Sequence, residues 1–418
     1  MDKEERLLPM KTSTIGVLGD GQLAQMTCLA GQTLGCVMHV YAQSPDSPAA
    51  KVADRVWLGD LNDEEQLARF AEAVDVITYD TELLPVACVR SLQTHARLCP
   101  SPELLYIAQN RIRERAFLRQ IDIPMPQVAP VLSAEDAYAA ALSMGVPGIL
   151  KTAEQGYDGK GQVRVDRPDE ARPAWQALGG VPCVLEERVS FVAEMSVLVA
   201  GSLDGTYQAY PVVDNRHEHH ILHLSSAPSQ LPQAAQDEAT RIALAIAKAA
   251  QLVGLLAVEM FYTQDGRVLV NELAPRPHNS GHHTQVTTAT SQFLQLCRAI
   301  TGLALGPLDA QPGAMVNLLG DLFIHLDPQT DDLIYQHAGF LSTERLVNYL
   351  RTYVQEQGEW SVDLERCHVY FYGKEMARPG RKMGHAMIVD DTVQGAVKQM
   401  EALHALFAAA EQARERKV

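Results

Sequence analysis

The stretch LLAVEMFYTQDGRVLVNELAPRPHNSGHHT, residues 255–284, decides the fold. Two apolar, β-rich runs flank Asp265 and Gly266, and an Asp-Gly pair between such runs predicts a hairpin over residues 256–273. With Asp265 and Gly266 as a two-residue turn, Gln264 faces Arg267 and Glu259 faces Glu272. Two carboxylates side by side on one sheet face repel, and the arrangement is tolerable when one is protonated or a cation lies between them. Asn271 adds a carbonyl oxygen beside the pair. Oxygen-only ligands, few in number, suit magnesium bridging to phosphates better than zinc or copper. The alternative, two solvated glutamates on a wet sheet face, fits poorly with runs as apolar as LLAVEMF and VLVNELA.

Around this hairpin lies an ordinary globular composition: 418 residues, 47% hydrophobic and 21% charged, which predicts about three domains and excludes a disordered chain. The net charge of −16 opposes attraction to nucleic-acid backbones and anionic membranes, so neither is expected as a partner. The longest nearly apolar run, residues 252–258, is far shorter than a membrane helix, and MDKEERLLPMKTS at the start has no signal-peptide core. A cytoplasmic protein is expected. Met10 precedes the first strand and could be the true start, leaving residues 1–9 as a disordered leader. The seven cysteines are scattered without a CxxC pair and are expected to be small buried hydrophobes.

Alternating elements open the chain. Residues 14–18 (TIGVL) predict a strand, and GDGQLAQMTCLAGQTLG after them has helical apolar spacing. Strands at 37–41 and 74–78 and a helix at 83–92, with Pro85 in its first turn, complete an α/β unit with a parallel sheet. A helix at 112–120 and the proline-punctuated IDIPMPQ (121–127) mark a hinge. A helix at 135–144, strands at 148–152 and 162–165, and the glycine-rich loop between them read as a small lid. Strands at 184–187, 194–199 and 209–213 are expected in a separate sheet, followed by a long helix at 236–252; residues 392–417 predict a final helix. The resulting division is 1–112, 113–187, 188–313 and 314–418.

The first glycine cluster, Gly19, Gly21 and Ala24, fits a dinucleotide fingerprint, yet the second strand ends in Tyr41, Ala42 and Gln43 with no carboxylate for a ribose. NAD is disfavoured, and the turn is left as an anion site at a helix N-terminus. The second cluster, GYDGKGQ (156–162), lacks the ending of a Walker loop; its glycines let backbone amides approach phosphates, and Lys151 upstream supplies a cation. A plain hairpin turn is the alternative. HEHHILH (217–223) and HNSGHH (278–283) are dense in histidine, but their spacing fits no zinc motif.

GDGQLAQM, residues 79–85, QNRIRERAFL, LKTAEQGYDGKGQ, EERVSFVAEMSV, NRHEHHIL, VEMF, NELAPRPHNSGHHT, SQF and RPGRKMGH together resemble 5-(carboxyamino)imidazole ribonucleotide synthases, the ATP-grasp enzymes of bacterial and fungal purine biosynthesis. The resemblance implies an ATP-grasp fold with an N-terminal Rossmann-like (pre-ATP-grasp) domain and a small C-terminal domain. It implies a homodimeric, magnesium-dependent ligase that phosphorylates bicarbonate with ATP and passes the carboxyl group to aminoimidazole ribonucleotide. By motif, Arg111, Lys151 and the loop Gly156, Tyr157, Asp158, Gly159, Lys160, Gly161 and Gln162 would hold the ATP phosphates. Glu186, Glu187, Arg188, Val189 and Glu194 would meet adenine and ribose, with His217, Asn271 and Glu272 completing the nucleotide site and Glu259 with Glu272 the magnesium site. Arg276 and His278 would act on bicarbonate or carboxyphosphate. Gly21, Gln22, Leu23, Glu82, Tyr157, Asp158, Arg378, Arg381 and Lys382 would bind the ribonucleotide.

The chain departs from that pattern at Asp20, Asp80, His283 and Leu294, and carries extra residues between Gly320 and Gly373, enough for a helix at 344–357. Two other functions remain open at this point: an ATP-grasp ligase using an acyl phosphate on a different amine, and a non-catalytic nucleotide-binding homologue, which the retained Glu259 and Glu272 disfavour.

Overall fold

The computed structural model describes residues 12–154, 156, 160–326, 333–335 and 362–415. Tyr157, Asp158, Gly159, the leader expected at 1–9 and the helix expected at 344–357 lie outside the described residues. The chain divides after Cys99 into two units.

In the first unit the β-branched run Thr14–Leu18 is the middle strand of a five-stranded sheet, in the order Arg55–Leu58, Val37–Ala42, Thr14–Leu18, Val76–Tyr79, Arg97–Leu98. Every pairing is parallel, and helices Gln22–Thr33, Glu64–Glu72 and Val86–Leu92 connect the strands, a Rossmann-like arrangement. Ile15, Val17, Met38, Val40, Val76 and Ile77 are buried, as strands covered on both faces require. Gly16 lets Phe70 approach the sheet, since a Cβ there would stand 2.6 Å from the ring.

Strand Arg55–Leu58 leaves little trace in the sequence because it is short, lies at an edge and is only partly buried. The run expected as a third strand is therefore the fourth, Val76–Tyr79. The helix expected from residue 83 begins at Val86, with Pro85 in extended backbone as its cap.

Among the described residues the second unit holds two large sheets and a two-stranded one, Ile324–Leu326 paired antiparallel with Leu333–Tyr335. In the smaller of the two large sheets, the order is Val128–Val131, Cys183–Glu187, Gly148–Thr152, Gln162–Val165, all antiparallel. Helices Ala134–Met144 and Ala171–Ala177 cover one face around Val131, Ala137, Leu150, Val165 and Leu185. Cys183–Glu187 belongs to this lid sheet, not to the separate sheet expected from the sequence; it pairs along Gly148–Thr152 and buries Val184 and Leu185.

The larger sheet runs Val268–Ala274, Gly254–Thr263, Phe191–Gly201, Val213–Glu218, Ile221–Ala227, Gly313–Leu319, Lys382–Val389, His368–Phe371. It passes without a break through residues 313 and 314. The strand expected at 209–213 is two pieces, Tyr207–Ala209 pairing Phe191–Gly201 and then Val213–Glu218. Helix Gln233–Ala249, three residues earlier than expected, packs on Met195, Val197, Val199, Val258, Met260, Val268 and Val270. Alternation then sends Glu194, Ser196, Glu259 and Phe261 to the opposite, polar face.

The final helix, Val393–Glu415, packs on Leu224, Ala314 and Val316 through Ala396, Met400, Leu403 and Phe407. The cysteines are free thiols, six buried and Cys367 partly so. Among the described residues, no helix is long and apolar enough to cross a membrane.

Candidate active site

Glu259 faces Glu272 across the hairpin, but not through the two-residue turn expected. Gln264 does not pair with Arg267. Thr263 N–H donates to Arg267 O at 2.9 Å, so the loop has three residues, and Gly266 takes φ +83° as its left-handed member. This moves the register by one, and a bulge at Asn271 moves it back: Met260 pairs with Val270 while Glu259 pairs with Glu272.

His278 Nε2 lies 3.2 Å from Glu259 Oε1, and an Arg111 guanidinium nitrogen lies 3.7 Å from Glu272 Oε2. Burial alone would raise the Glu259 carboxyl, but its bond to His278 and the charges of His278, His217 and Lys382 hold it at about 2. Among the described residues no three of His, Cys, Asp and Glu converge as a metal cage. Two facing carboxylates are a short, hard, oxygen-only donor set that magnesium completes with water and phosphate oxygens, so the residues fit that ion.

Beside this face, Pro126, Ile149, Lys151, Glu186, Glu187, Arg188, Val189, Ser190, Phe191 and Phe261 line a cavity of about 330 Å³. Glu186 is a buried anchor there: Lys151 Nζ lies 2.6 Å from Oε2 and Arg115 Nε donates to Oε1 at 2.9 Å. Burial would raise its pKa, yet Arg115, Lys151 and Arg111 hold it far below the usual carboxylate range. Glu187 Oε2 accepts from Gln127 N–H at 3.1 Å, and the Arg188 amide donates to Pro147 O.

At the glycine loop, Arg111 N–H donates to Ala153 O and Thr152 N–H donates to Gly161 O, both at 2.8 Å. A Cβ on Gly156 would stand 3.8 Å from the Arg111 guanidinium, which brings the loop to that cation. Gln162 pairs with Lys151 across the lid sheet, with Gly161 at φ +69° just before it and Lys160 in the turn. Glu194 Oε2 lies 2.6 Å from His217 Nδ1; burial would lower that imidazole, but the bond to Glu194 and the charges of Glu259, Glu194 and Glu272 raise it overall.

After the hairpin, Gln292 clamps the backbone of His278, taking its N–H on Oε1 and donating from Nε2 to its carbonyl, both at 2.8 Å. Arg276 donates to Pro277 O at 3.1 Å. The segment RPGRKMGH forms a tight turn in which Arg381 N–H donates to Arg378 O at 3.0 Å, with Pro379 followed by Gly380 at φ +69°. Arg381 also donates from its guanidinium to Met376 O at 2.6 Å, and the Lys382 carbonyl accepts from Lys374 Nζ at 2.7 Å.

In the first unit, the turn at Gly21, Gln22 and Leu23 opens helix Gln22–Thr33, and its Gly21 N–H donates to Asp80 Oδ2 at 3.0 Å. The chain's own carboxylate thus takes an amide of the turn expected to bind an anion, and a Cβ on Gly19 would stand 1.8 Å from Asp80 Oδ1. Asp20 is turned away, its Oδ2 accepting from Gln43 N–H at 3.0 Å. Glu82 is half-buried two residues beyond Asp80.

Arg115, Ser196, Asn215, Ser280 and Gln292 belong to this site without having been singled out by sequence. For Arg115 a signal existed: it lies on the buried stripe of helix Arg111–Gln120 with Leu118, where a charge must have partners. It donates to Glu114 Oε1 at 2.7 Å and to the bulged Asn271 O at 2.5 Å as well as to Glu186.

The chain matches the models of the ribonucleotide synthetase preATP-grasp domain over residues 10–109, the ATP-grasp domain over 116–293 and the phosphoribosylaminoimidazole carboxylase C-terminal domain over 313–399. It is 36% identical over 376 residues to N5-carboxyaminoimidazole ribonucleotide synthase of Bacillus subtilis, covering 89% of this chain and 90% of the relative. It is 37% identical to the bifunctional purine synthesis protein purC/E of Dictyostelium discoideum over 89% of its own length, but spans only 36% of that protein. An N5-carboxyaminoimidazole ribonucleotide synthetase solved as an ADP complex superposes with TM-score 0.82 at 36% identity, covering 96% of this chain and 98% of the other. The Aspergillus clavatus N5-carboxyaminoimidazole synthase, solved with ADP and 5-aminoimidazole ribonucleotide, superposes with TM-score 0.81 at 26% identity, covering 95% and 99%.

Proposed function

Since the chain belongs to the N5-carboxyaminoimidazole ribonucleotide synthase family, we propose that its residues share out the work of that ligase as follows. The reaction is the ATP-dependent carboxylation of 5-aminoimidazole ribonucleotide by bicarbonate, a step of purine biosynthesis. A bicarbonate oxygen attacks the γ-phosphorus of ATP, ADP leaves, and the resulting carboxyphosphate releases phosphate and carbon dioxide. The exocyclic amine of the ribonucleotide then attacks the carbon and loses a proton.

Arg111, Lys151 and the amides of the loop 156–162 hold the ATP phosphates, where cations offset the charge spread over a transferring phosphoryl group. Glu187, Arg188 and Val189 border the adenine, Glu186 fixes Lys151, and Glu194 with His217 and Asn271 meets the ribose and phosphate side of the nucleotide. Glu259 and Glu272 are the magnesium ligands; bound there, the ion would neutralise phosphate charge during transfer. Arg276 supplies a planar fork for the carboxylate, and His278 contacts the carboxyphosphate.

By the family's motifs, Gly21, Gln22, Leu23, Glu82, Tyr157, Asp158, Arg378, Arg381 and Lys382 are assigned to the ribonucleotide. The enzyme is assigned to the cytoplasm as a homodimer.

The observation that carries this reading is the facing pair Glu259 and Glu272, with His278 on one and Arg111 near the other. Running the reaction with oxygen-labelled bicarbonate tests it. One labelled oxygen should appear in the released phosphate; unlabelled phosphate from an active enzyme would reject carboxyphosphate.

A further inference from the structure

Behind the ring of His278 lies a buried polar chain to which the reaction as described gives no task. Asn215 Nδ2 lies 3.0 Å from Ser196 Oγ, Ser196 Oγ lies 2.7 Å from Ser280 Oγ, and Ser280 Oγ lies 2.9 Å from His278 Nδ1. On the far side of the ring, Nε2 reaches Glu259 Oε1 at 3.2 Å. Ser196 and Ser280 are fully buried, so solvent does not compete for their hydroxyl groups.

Distances alone do not orient such a chain; its ends do. An amide nitrogen only donates, and an ionised carboxylate only accepts. Ser196 Oγ takes the Asn215 proton and has its own for Ser280, and Ser280 then has its own for His278. The Nδ1 atom must therefore accept, and the ring proton stands on Nε2, pointing at Glu259. The backbone N–H of Ser280, which can only donate, also reaches Nδ1 at 3.4 Å. Reversing the chain would set Nδ1–H against that N–H and a bare Nε2 lone pair against a carboxylate. It would also turn the Asn215 amide, replacing one unpaired buried oxygen by an unpaired NH2 group.

Because Gln292 already fixes the backbone of His278, the chain is left to set the ring's rotation and tautomer. We infer that Asn215, Ser196 and Ser280 are positioning residues that hold His278 as its Nε2–H tautomer, so that this one ring proton, shared between Glu259 and carboxyphosphate, meets the latter as a hydrogen-bond donor and the ring does not act as a base. This rests on the contact between His278 and carboxyphosphate assigned above. It parallels the way a partner on one ring nitrogen sets the task of the other.

Asn215→Asp and Asn215→Ala separate polarity from bracing. Asp has nearly the shape of Asn but only accepts, so it pulls the chain into reverse; Ala removes the donor and leaves Ser280 free to keep donating to Nδ1. If the residue merely braced the sheet, Asp would be the better tolerated. Here Asn215→Asp should lower kcat about tenfold more than Asn215→Ala.

Because the new charge could act on ATP directly, the deciding measurement is the nitrogen NMR spectrum of the full-length protein labelled in histidine, with the His278 signals identified by their loss in His278→Asn. Wild type and Asn215→Ala should show a bare Nδ1 and a protonated Nε2, and Asn215→Asp should lose that pattern. A protonated Nδ1 in the neutral ring of the wild type, or Asp tolerated as well as Ala, would overturn the inference. Full turnover by His278→Asn would instead reject the contact with carboxyphosphate itself, whatever the tautomer.

Discussion

Glu272 stands beside Glu259 because the chain inserts one extra residue, Asn271, just before it. Val268 and Val270 point into the core under helix Gln233–Ala249, and strict alternation would have sent residue 272 after them. The bulge turns Glu272 to the polar face instead, and Leu273 takes up the core position opposite Val258. Arg115 secures the bulge by donating to the Asn271 carbonyl, which the ladder leaves unpaired. One buried guanidinium therefore ties the carboxylate pair to Glu186, the anchor of Lys151.

Removing one of the two facing carboxylates should cost chemistry and spare the fold. Glu272→Gln keeps size and is only partly buried, so its melting temperature should stay within a few degrees of wild type. ADP formation should fall roughly a hundredfold or more, the several kcal/mol expected when a metal's hold on a transferring phosphate is lost. Normal turnover at saturating MgATP would rule out Glu272 as a ligand.

Arg115→Met should behave in the opposite way, as a stability defect. It strips a fully buried cation from Glu114 and from one oxygen of Glu186, and breaking a buried ion network by removing one member costs about 3–5 kcal/mol. Arg115→Lys should rescue little, since a point charge cannot reach Glu114, Glu186 and the Asn271 carbonyl together. Urea denaturation gives the comparison, and a loss under about 1 kcal/mol for Met would mean the network contributes little net stability.

Much of this site is legible in sequence, and the failures have physical causes. Glu259 and Glu272 were paired correctly from Asp265-Gly266, yet only because a three-residue turn and a one-residue bulge cancel. Neither irregularity has a signature in apolar periodicity. Cys183–Glu187 is readable as a strand, and the division at 187 leaves it with the lid, but its sheet is not readable, because a short apolar run does not say which strands it joins. Ser196, Asn215 and Ser280 could not be found, since a serine or asparagine on a strand gives no hint of which hydroxyl group it will meet.

Acid should destabilise the protein through its buried imidazoles, beginning near pH 6.5. Burial holds His283 down at about 4 and His385 at about 3, and His282 is lowered by burial and by the charges of its neighbours, His385 first. Each is neutral in the fold and takes up a proton near pH 6.5 once unfolded, so the stability they contribute is whole above pH 6.5 and is lost as pH falls towards the folded values. For His283 the loss between pH 7 and 5 is on the order of 2 kcal/mol. Among the described residues its Nε2 is buried without a hydrogen-bond partner and its Nδ1 meets Thr287 Oγ1, so His283→Phe should fit the same envelope and flatten the pH dependence by that amount. Parallel stability curves for the two proteins would mean that His283 titrates normally in the fold.

The ribonucleotide phosphate offers the last test. The turn from Arg378 to Arg381 sets two guanidinium groups at its two ends, and Gly320 is what lets the turn sit there, since a Cβ would stand 2.1 Å from the Arg378 carbonyl. Burial first, and then the charge of Arg378, lowers the pKa of Arg381, the mark of two cations that would gain from a shared anion. Arg381→Ala should raise the KM for aminoimidazole ribonucleotide about ten- to a hundredfold, as for a lost charge-assisted hydrogen bond, and leave the KM for ATP nearly unchanged. The same guanidinium also holds Met376 O, so some loss of melting temperature is expected with it. What separates the two roles is ligand-induced stabilisation: the ribonucleotide should raise the melting temperature of wild type and fail to do so for Arg381→Ala at the same concentration. If the variant is merely less stable, and the ribonucleotide raises its melting temperature as much as that of wild type, Arg381 is a brace for the turn and the phosphate is held elsewhere.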